Sequence, residues 1–282
     1  MSLAPGSEVY HAAGGAAKFK QKTTAVEVIE RFAGRSKAAA DRLKTWRGDP
    51  NKADVVPVVQ AHTVAAVYRL TPSDVERVCK GTEHALGEVK KSIAEQVVDI
   101  RDWHPAFAFT HVFHFATEAL GALPTYQDFR SFCKDDKHGR EMLWRPAQEA
   151  VSRAELKWGR DASLAAMRWR VGNAYYSFLR EMYVLAVLRD WGTDAHVHPL
   201  ADALFRADLW VGNTNVSLFI GNGRFRDGSS GRKEKPEHLF SDAQPPFGFQ
   251  AIELKTQHEF GAVHLPSLAD IKHAAKKLTP GC

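Results

Sequence analysis

A long helical pattern from Leu164 to Trp191 divides the chain into two parts of different character. Before it, apolar residues recur at helical spacing, whereas after it short apolar runs alternate with turn-forming residues, as is typical of strands. We therefore predict a fold of the α/β (α+β) class, with a mixed sheet flanked by helices in its second part. The predicted divisions are a flexible lead-in over residues 1–22, a mostly helical domain over 23–160 and a sheet-containing domain over 161–282.

Start and stop signals indicate where the helices of the first part lie. Ser73 and Glu76 form a capping-box pattern, which predicts a long helix whose apolar stripe continues to Val97. Another helix is predicted over Arg145–Trp158, where a proline falls in the first turn and is tolerated there. The polar stretch Lys134–Gly139 is predicted to be a loop.

Composition limits the classes of protein to which the chain can belong. The 282 residues are 44% hydrophobic and 25% charged, as is ordinary for a globular protein, and the net charge of +5 is compatible with binding to nucleic acid. Three cysteines (Cys79, Cys133 and Cys282) lie far apart, which indicates a reducing compartment and no cysteine zinc site. Because no apolar run reaches the length of a membrane span or resembles a signal peptide, we expect a cytoplasmic protein with no membrane partner.

The strand-like run Phe249–Thr256 carries a Glu-x-Lys motif. Residues two apart in a strand point to the same face, so Glu253 and Lys255 should emerge together while Ile252 and Leu254 are buried behind them. Acid-x-Lys pairs also occur elsewhere in the chain, but in polar or helical segments. The alternative interpretation is a half-buried strand whose Glu and Lys face solvent.

A second carboxylate on a neighbouring strand would complete a site for a divalent cation. Asp208 lies in the strand-like run Leu204–Val211 and is the first candidate, with Asp227 and Asp242 as alternatives. Carboxylate oxygens from Asp208 and Glu253 suit Mg²⁺ or Mn²⁺, because hard cations prefer oxygen ligands. A lysine beside such a metal could orient a water or stabilise a pentavalent phosphorane.

A third acid lies on the long helix. Glu181 falls in line with the apolar residues Phe178 and Leu185, where a carboxylate is costly unless it is paired or coordinated. It would either support the metal site by facing Glu253 or form a salt bridge with a buried Arg or Lys.

The order of an acid-bearing helix, an Asp strand, a Glu-x-Lys strand and a closing helix at Ser267–Leu278 resembles the PD-(D/E)XK, or restriction-endonuclease-like, nuclease superfamily. The resemblance covers residues 164–282. The chain departs from the family in having no proline before Asp208 and a longer spacing to Glu253. The resemblance implies Mg²⁺- or Mn²⁺-dependent hydrolysis of DNA in restriction, phage defence or mobile-element processing. The residues it implies as catalytic are Asp208, Glu253, Lys255 and Glu181, of which Asp208 and Glu253 would hold the metal.

The segment between the two strand-like runs is long and basic. Loops of this length inside a compact domain are usually functional or disordered. Candidate contacts to nucleic acid are Arg224, Arg226, Arg232, Lys233, Lys235 and, on the Glu-x-Lys strand face, Gln257. We expect DNA as the partner, with RNA not excluded, while the helical domain would form a homodimer interface, contact a partner protein or supply specificity.

Two other interpretations stay open from the sequence. The first is a non-catalytic nucleic-acid-binding or scaffold subunit on the same fold. The second is a metalloenzyme, because His111, His114 and Glu118 share one helical face and could bind zinc or iron. If no second helix supplies further ligands, His111 and His114 are instead histidines of the hydrophobic core.

Overall fold

The protein is described by a computed structural model that covers residues 19–220, 235–260 and 263–278, and it belongs to the α+β class. Its first part is helical, apart from two short paired strands, β1 (Thr23–Thr24) and β2 (Thr63–Val64). The helices of this part are α1 (Ala25–Phe32), α2 (Lys37–Arg47), α3 (Val55–Ala61), α4 (Pro72–Gly81), α5 (Lys91–Gln96), α6 (Val98–Arg101), α7 (Phe109–Leu120), α8 (Tyr126–Asp135), α9 (Lys137–Gly139) and α10 (Arg145–Trp158). Short 3₁₀ turns cover Pro50–Lys52 and Ala66–Arg69, and a π-helical turn covers Arg140–Trp144.

The second part begins with a long helix and continues with most of the strands. Its helices are α11 (Arg160–Asp190), α12 (Pro199–Phe205), α13 (Pro236–Leu239) and α14 (Leu268–Leu278). Its strands are β3 (Ala195–His196), β4 (Leu209–Val211), β5 (Thr214–Ile220), β6 (Gly248–Leu254), β7 (Thr256–Phe260) and β8 (Val263–Pro266).

Four of these strands form a mixed sheet in the order β3-β4-β5-β6. The pairs β3/β4 and β4/β5 are antiparallel, whereas β5 and β6 are parallel. A two-residue turn joins β4 to β5, and Gly212 at its start has a φ of 51°, which glycine adopts without steric cost. Strands β7 and β8 form a separate antiparallel pair. The predicted α+β class and its mixed sheet are therefore confirmed.

Different helices pack against the two faces of the sheet. On one face, Phe32 of α1 packs against the aromatic rings of Phe205, Trp210 and Phe247. On the other face, α14 contacts β6 and α11 contacts both β5 and α14. Because Ile252 and Leu254 are the buried residues of β6, these two helices lie on their side. Residues before and after position 160 thus share one hydrophobic core, and the division into domains there stays a prediction.

Helix α10 has the predicted bounds, but two other expectations for the first part were wrong. Helix α4 begins at Pro72, because Thr71 and Asp74 form its capping box, and it ends at Gly81 instead of continuing to Val97. The expected loop Lys134–Gly139 is mostly helical, because the Asp136 carboxylate accepts hydrogen bonds from the backbone N–H groups that begin α9.

The expected boundaries in the second part also need correction. The predicted strand Leu204–Val211 starts as helix α12 and becomes β4 only at Leu209, because Pro199 and the His198 side chain start a helix there. The predicted Glu-x-Lys strand ends at Leu254 and β7 follows after one residue. The predicted lead-in lies outside the described residues up to residue 18, and at Lys20 the backbone carbonyl already accepts a hydrogen bond from Arg189.

Candidate carboxylate site

Asp208 lies between α12 and β4 and is half-buried. Its Oδ2 accepts a hydrogen bond of 2.6 Å from the backbone N–H of Leu218 on β5. Asp208 immediately precedes β4, whose first residue, Leu209, pairs with Val216. The hydrogen bond therefore holds the carboxylate against the middle of the sheet.

Glu253 and Lys255 lie at the end of β6, and both are exposed. Their neighbours Ile252 and Leu254 are buried, so the alternation predicted for this strand is confirmed. The backbone N–H of Lys255 donates to the carboxylate of Asp270, and its carbonyl accepts from Ser267. These bonds attach the end of β6 to the start of α14 and fix where the Glu-x-Lys motif emerges.

Asp208 and Glu253 do not lie on neighbouring strands, because β5 lies between β4 and β6. Ser217 pairs with Ala251 and Phe219 pairs with Glu253, and directly paired residues point to the same face. The backbones of the two acids are at least two strand spacings apart, or roughly 10 Å. A cation shared by both would have to lie above β5.

The residues between the two carboxylates were not predicted as part of the site. Ser217 and Phe219 share the face of Glu253 and are half-buried. The signal in the sequence is the alternation along β5, where Val216, Leu218 and Ile220 point to the other face. Ser217 and Phe219 were not predicted because Asp208 and Glu253 were expected to lie on neighbouring strands.

Glu181 is half-buried on α11. This helix packs on the sheet face that carries Ile252 and Leu254, whereas Glu253 projects from the opposite face. The structure therefore does not bring Glu181 to the face of Glu253.

The other predicted residues fall in three groups. Arg224, Arg226, Arg232, Lys233 and the alternative aspartate Asp227 lie outside the described residues. Lys235 is exposed and immediately precedes α13, and Gln257 lies on β7, where only its backbone is described. Asp242 accepts hydrogen bonds from the Ser36 hydroxyl at 2.6 Å and from the Ala38 N–H, so its carboxylate stabilises the start of α2.

The histidine face of α7 is used for packing. Glu118 accepts hydrogen bonds from the backbone N–H groups of Ala65 and Ala66, at 2.8 Å each, and so caps the 3₁₀ turn Ala66–Arg69. His111 and His114 are buried in the core. Across the residues that the structure describes, no group of three or more His, Cys, Asp and Glu side chains is placed to hold a metal ion.

Comparison with models of known protein families, with curated proteins and with solved structures gave no match to this chain. What is established is thus an α+β protein with a four-stranded mixed sheet. None of the helices in the described ranges is both long and apolar enough to cross a membrane.

Proposed function

We propose that the chain is a metal-dependent endonuclease that hydrolyses DNA phosphodiester bonds on a restriction-endonuclease-like fold. The observation that carries the proposal is the exposed Glu-x-Lys motif, Glu253 and Lys255, at the end of β6. The chain order of α11, β4, β6 and α14 also follows the order of elements in the PD-(D/E)XK superfamily. By analogy with that superfamily, the activity would serve restriction, phage defence or mobile-element processing.

The proposed ligands are carboxylates, which are the type of ligand that a hard divalent cation prefers. Mg²⁺ usually keeps several waters and is bound through one or two carboxylates together with substrate phosphates. Asp208 and Glu253 would supply those carboxylates, provided that Glu253 leans over β5 towards Asp208. The bound metal would activate water and neutralise charge on the phosphate.

The chain's own residues would position the substrate. The exposed ammonium of Lys255 would attract the scissile phosphate and stabilise the negative charge that develops on it. Lys235 and the basic residues of segment 221–234 would contact flanking phosphates, which is consistent with the net charge of +5. The chemistry does not distinguish DNA from RNA, so both substrates belong in the test.

The test is a cleavage assay with matched variants. Supercoiled plasmid, single-stranded DNA and RNA are incubated with the protein in Mg²⁺ or Mn²⁺. Glu253→Gln and Lys255→Ala should each lower the rate by about 10²–10³-fold, the loss typical of removing one electrostatic stabiliser. Both side chains are exposed, so the thermal midpoint should stay within about 1 °C, because surface substitutions change stability little.

Glu88→Gln and Lys90→Ala are the controls, because this pair is also an exposed acid-x-Lys sequence but lies between α4 and α5. Cleavage that is equal in the wild type and in Glu253→Gln would contradict the proposed site. Cleavage that is lost equally in Glu88→Gln would show that the effect is not specific to β6.

The second candidate function is a non-catalytic nucleic-acid-binding or scaffold subunit. It is favoured by the position of β5 between the two carboxylates. This alternative predicts DNA binding in a mobility-shift assay, no cleavage with either metal, and an affinity that Glu253→Gln leaves unchanged.

A further inference from the structure

A cavity of about 400 Å³ lies between α1 and the strands β3 and β4. This volume is within the range of small-molecule sites, roughly 300–1,000 Å³. Its apolar lining includes Trp210 and Val211. The acidic and basic side chains of its lining, histidine apart, are those of Lys20, Glu27, Arg31 and Asp194.

Both acids of the lining are paired with a cation. The Glu27 carboxylate lies 2.8 Å from the Lys20 ammonium. The Asp194 carboxylate lies 3.3 Å from the guanidinium of Arg189 and 3.1 Å from Nε2 of His196. Burial lowers the pKa of His196 below 6.5, so this imidazole is mostly neutral at pH 7 and Arg189 supplies the positive charge of the group.

Arg31 is the charged lining group that has no carboxylate partner in the described part of the chain. Its Nη2 donates a hydrogen bond of 2.8 Å to the backbone carbonyl of Gly212, the one acceptor that the guanidinium has among the described residues. The rings of Phe32, Trp210 and Phe247 surround it, with their centres 5.4–5.5 Å from the guanidinium carbon. These rings attract the cation but supply no negatively charged oxygen.

A second arginine makes the surroundings of Arg31 more positive. Arg35 is held by the side-chain oxygen of Asn213 at 2.8 Å and by the backbone carbonyl of Pro245, and it lies 3.8 Å from the ring centre of Phe247. Burial, together with the charge of Arg35, lowers the pKa of Arg31 to about 10. A half-buried cation beside a like charge is costly unless an anion is also present. The lining therefore has one unpaired positive charge and lacks the anion that would compensate it.

We propose that this cavity binds the carboxylate of a small organic acid. The carboxylate would accept hydrogen bonds from the Nη groups of Arg31, since guanidinium and carboxylate groups match in geometry, and the organic part would contact Trp210 and Val211. One negative charge matches the one unpaired cation. A phosphate monoester carries about 1.5 to 2 negative charges and would be repelled by Glu27 and Asp194. The inference is independent of the proposed nuclease activity, because it uses none of the same residues.

Isothermal titration of the full chain with benzoate, benzyl alcohol and phenyl phosphate tests the proposal. Benzoate should bind at least about tenfold more tightly than benzyl alcohol, which has the ring without the charge, and more tightly than phenyl phosphate. Arg31→Gln should weaken binding of benzoate by about tenfold to hundredfold, because a charge-assisted hydrogen bond is lost. Arg69→Gln removes an exposed arginine outside the cavity and should leave the affinity unchanged.

Lys20→Gln is a second variant that does not disturb the core, because Lys20 is exposed. It leaves the Glu27 carboxylate unpaired at the cavity, so repulsion should weaken binding of benzoate by about two- to fivefold. If Arg31→Gln does not fold, unchanged affinity in Lys20→Gln would refute the site.

Three other results would overturn the proposal. One is that benzoate does not bind the wild type at millimolar concentration, and another is that Arg31→Gln binds benzoate as tightly as the wild type. The third is that phenyl phosphate binds as tightly as benzoate, which would refute the choice of a carboxylate.

Discussion

Four histidines are buried together where the end of α3, α7 and the start of α12 meet: His62, His111, His114 and His198. The rings of His62 and His198 are 5.7 Å apart, and His62 stacks on Phe115. Burial lowers the pKa of His62 to about 4 and the pKa values of His111 and His198 to about 3. Burial also lowers the pKa of His114 well below its ordinary value. We therefore predict that the protein unfolds in mild acid.

The direction of the pKa shifts determines whether the free energy of unfolding rises or falls with pH. In the unfolded chain each histidine has a pKa of about 6.5, so on acidification the unfolded state takes up protons first. The stabilisation by neutral burial is complete above about pH 6.5 and is lost as the pH falls towards the folded values. His62, His111 and His198 then each lose about 2 kcal/mol of stability between pH 7.5 and 5, or about 6 kcal/mol together, and His114 adds to the loss in the same direction. The total stability of a domain is about 5–15 kcal/mol, so acid unfolding is expected near pH 5.

Urea unfolding followed by tryptophan fluorescence from pH 5 to pH 8 measures this loss. Between pH 6 and pH 5 the free energy of unfolding should fall by at least about 4 kcal/mol. His62→Gln removes one titrating ring, so its slope with pH should be smaller by about 1 kcal/mol per pH unit, whatever its stability at pH 8. His273→Gln, on an exposed position of α14, should leave the slope unchanged. The reasoning is refuted if the wild type keeps its stability within about 1 kcal/mol from pH 7.5 to pH 5.5, or if His62→Gln has the wild-type slope.

Two further predictions concern the shared core and the binding of DNA. Phe32→Ala should cost about 3–5 kcal/mol, because the ring is fully buried among aromatic side chains of the sheet region. Chemical denaturation should show one shifted transition, and two transitions of which only one shifts would contradict a single core. Neutralising Arg224, Arg226, Arg232 and Lys233 together should weaken DNA binding and flatten its salt dependence, by close to one unit of slope per lost phosphate contact. If filter-binding titrations give an unchanged salt dependence, these four residues are not part of the DNA-binding surface.

The features that could be predicted from the sequence depend on local interactions. Helix α10 has its predicted bounds because its first-turn proline and its apolar spacing act within a few residues. Thr125 and Asp128 form the capping box of α8, which is likewise a local interaction. The exposure of Glu253 on β6 follows from strand alternation alone.

The features that were missed depend on competition between local signals or on the arrangement of the strands. Thr71 and Ser73 both offer capping-box patterns, and the one with a proline at the first helical position is used. The apolar run that starts at Leu204 suits a helix or a strand equally, and its outcome is set by the helix start at Pro199. The order of strands in the sheet has no signature in a single sequence, so the position of β5 between Asp208 and Glu253 could not be predicted.

The parallel pairing of β5 and β6 bears on where a ligand could bind. In open sheets with parallel strands, ligands bind beyond the carboxyl ends of those strands. Here that edge lies where Ile220 pairs with Leu254. Leu254 is the residue between Glu253 and Lys255. Segment 221–234, which contains a cluster of arginines and lysines, follows Ile220 in the chain. A phosphate-rich ligand is therefore expected at this edge both for a nuclease and for a non-catalytic binding subunit. A cleavage assay, and not a binding assay alone, is therefore needed to distinguish these two functions.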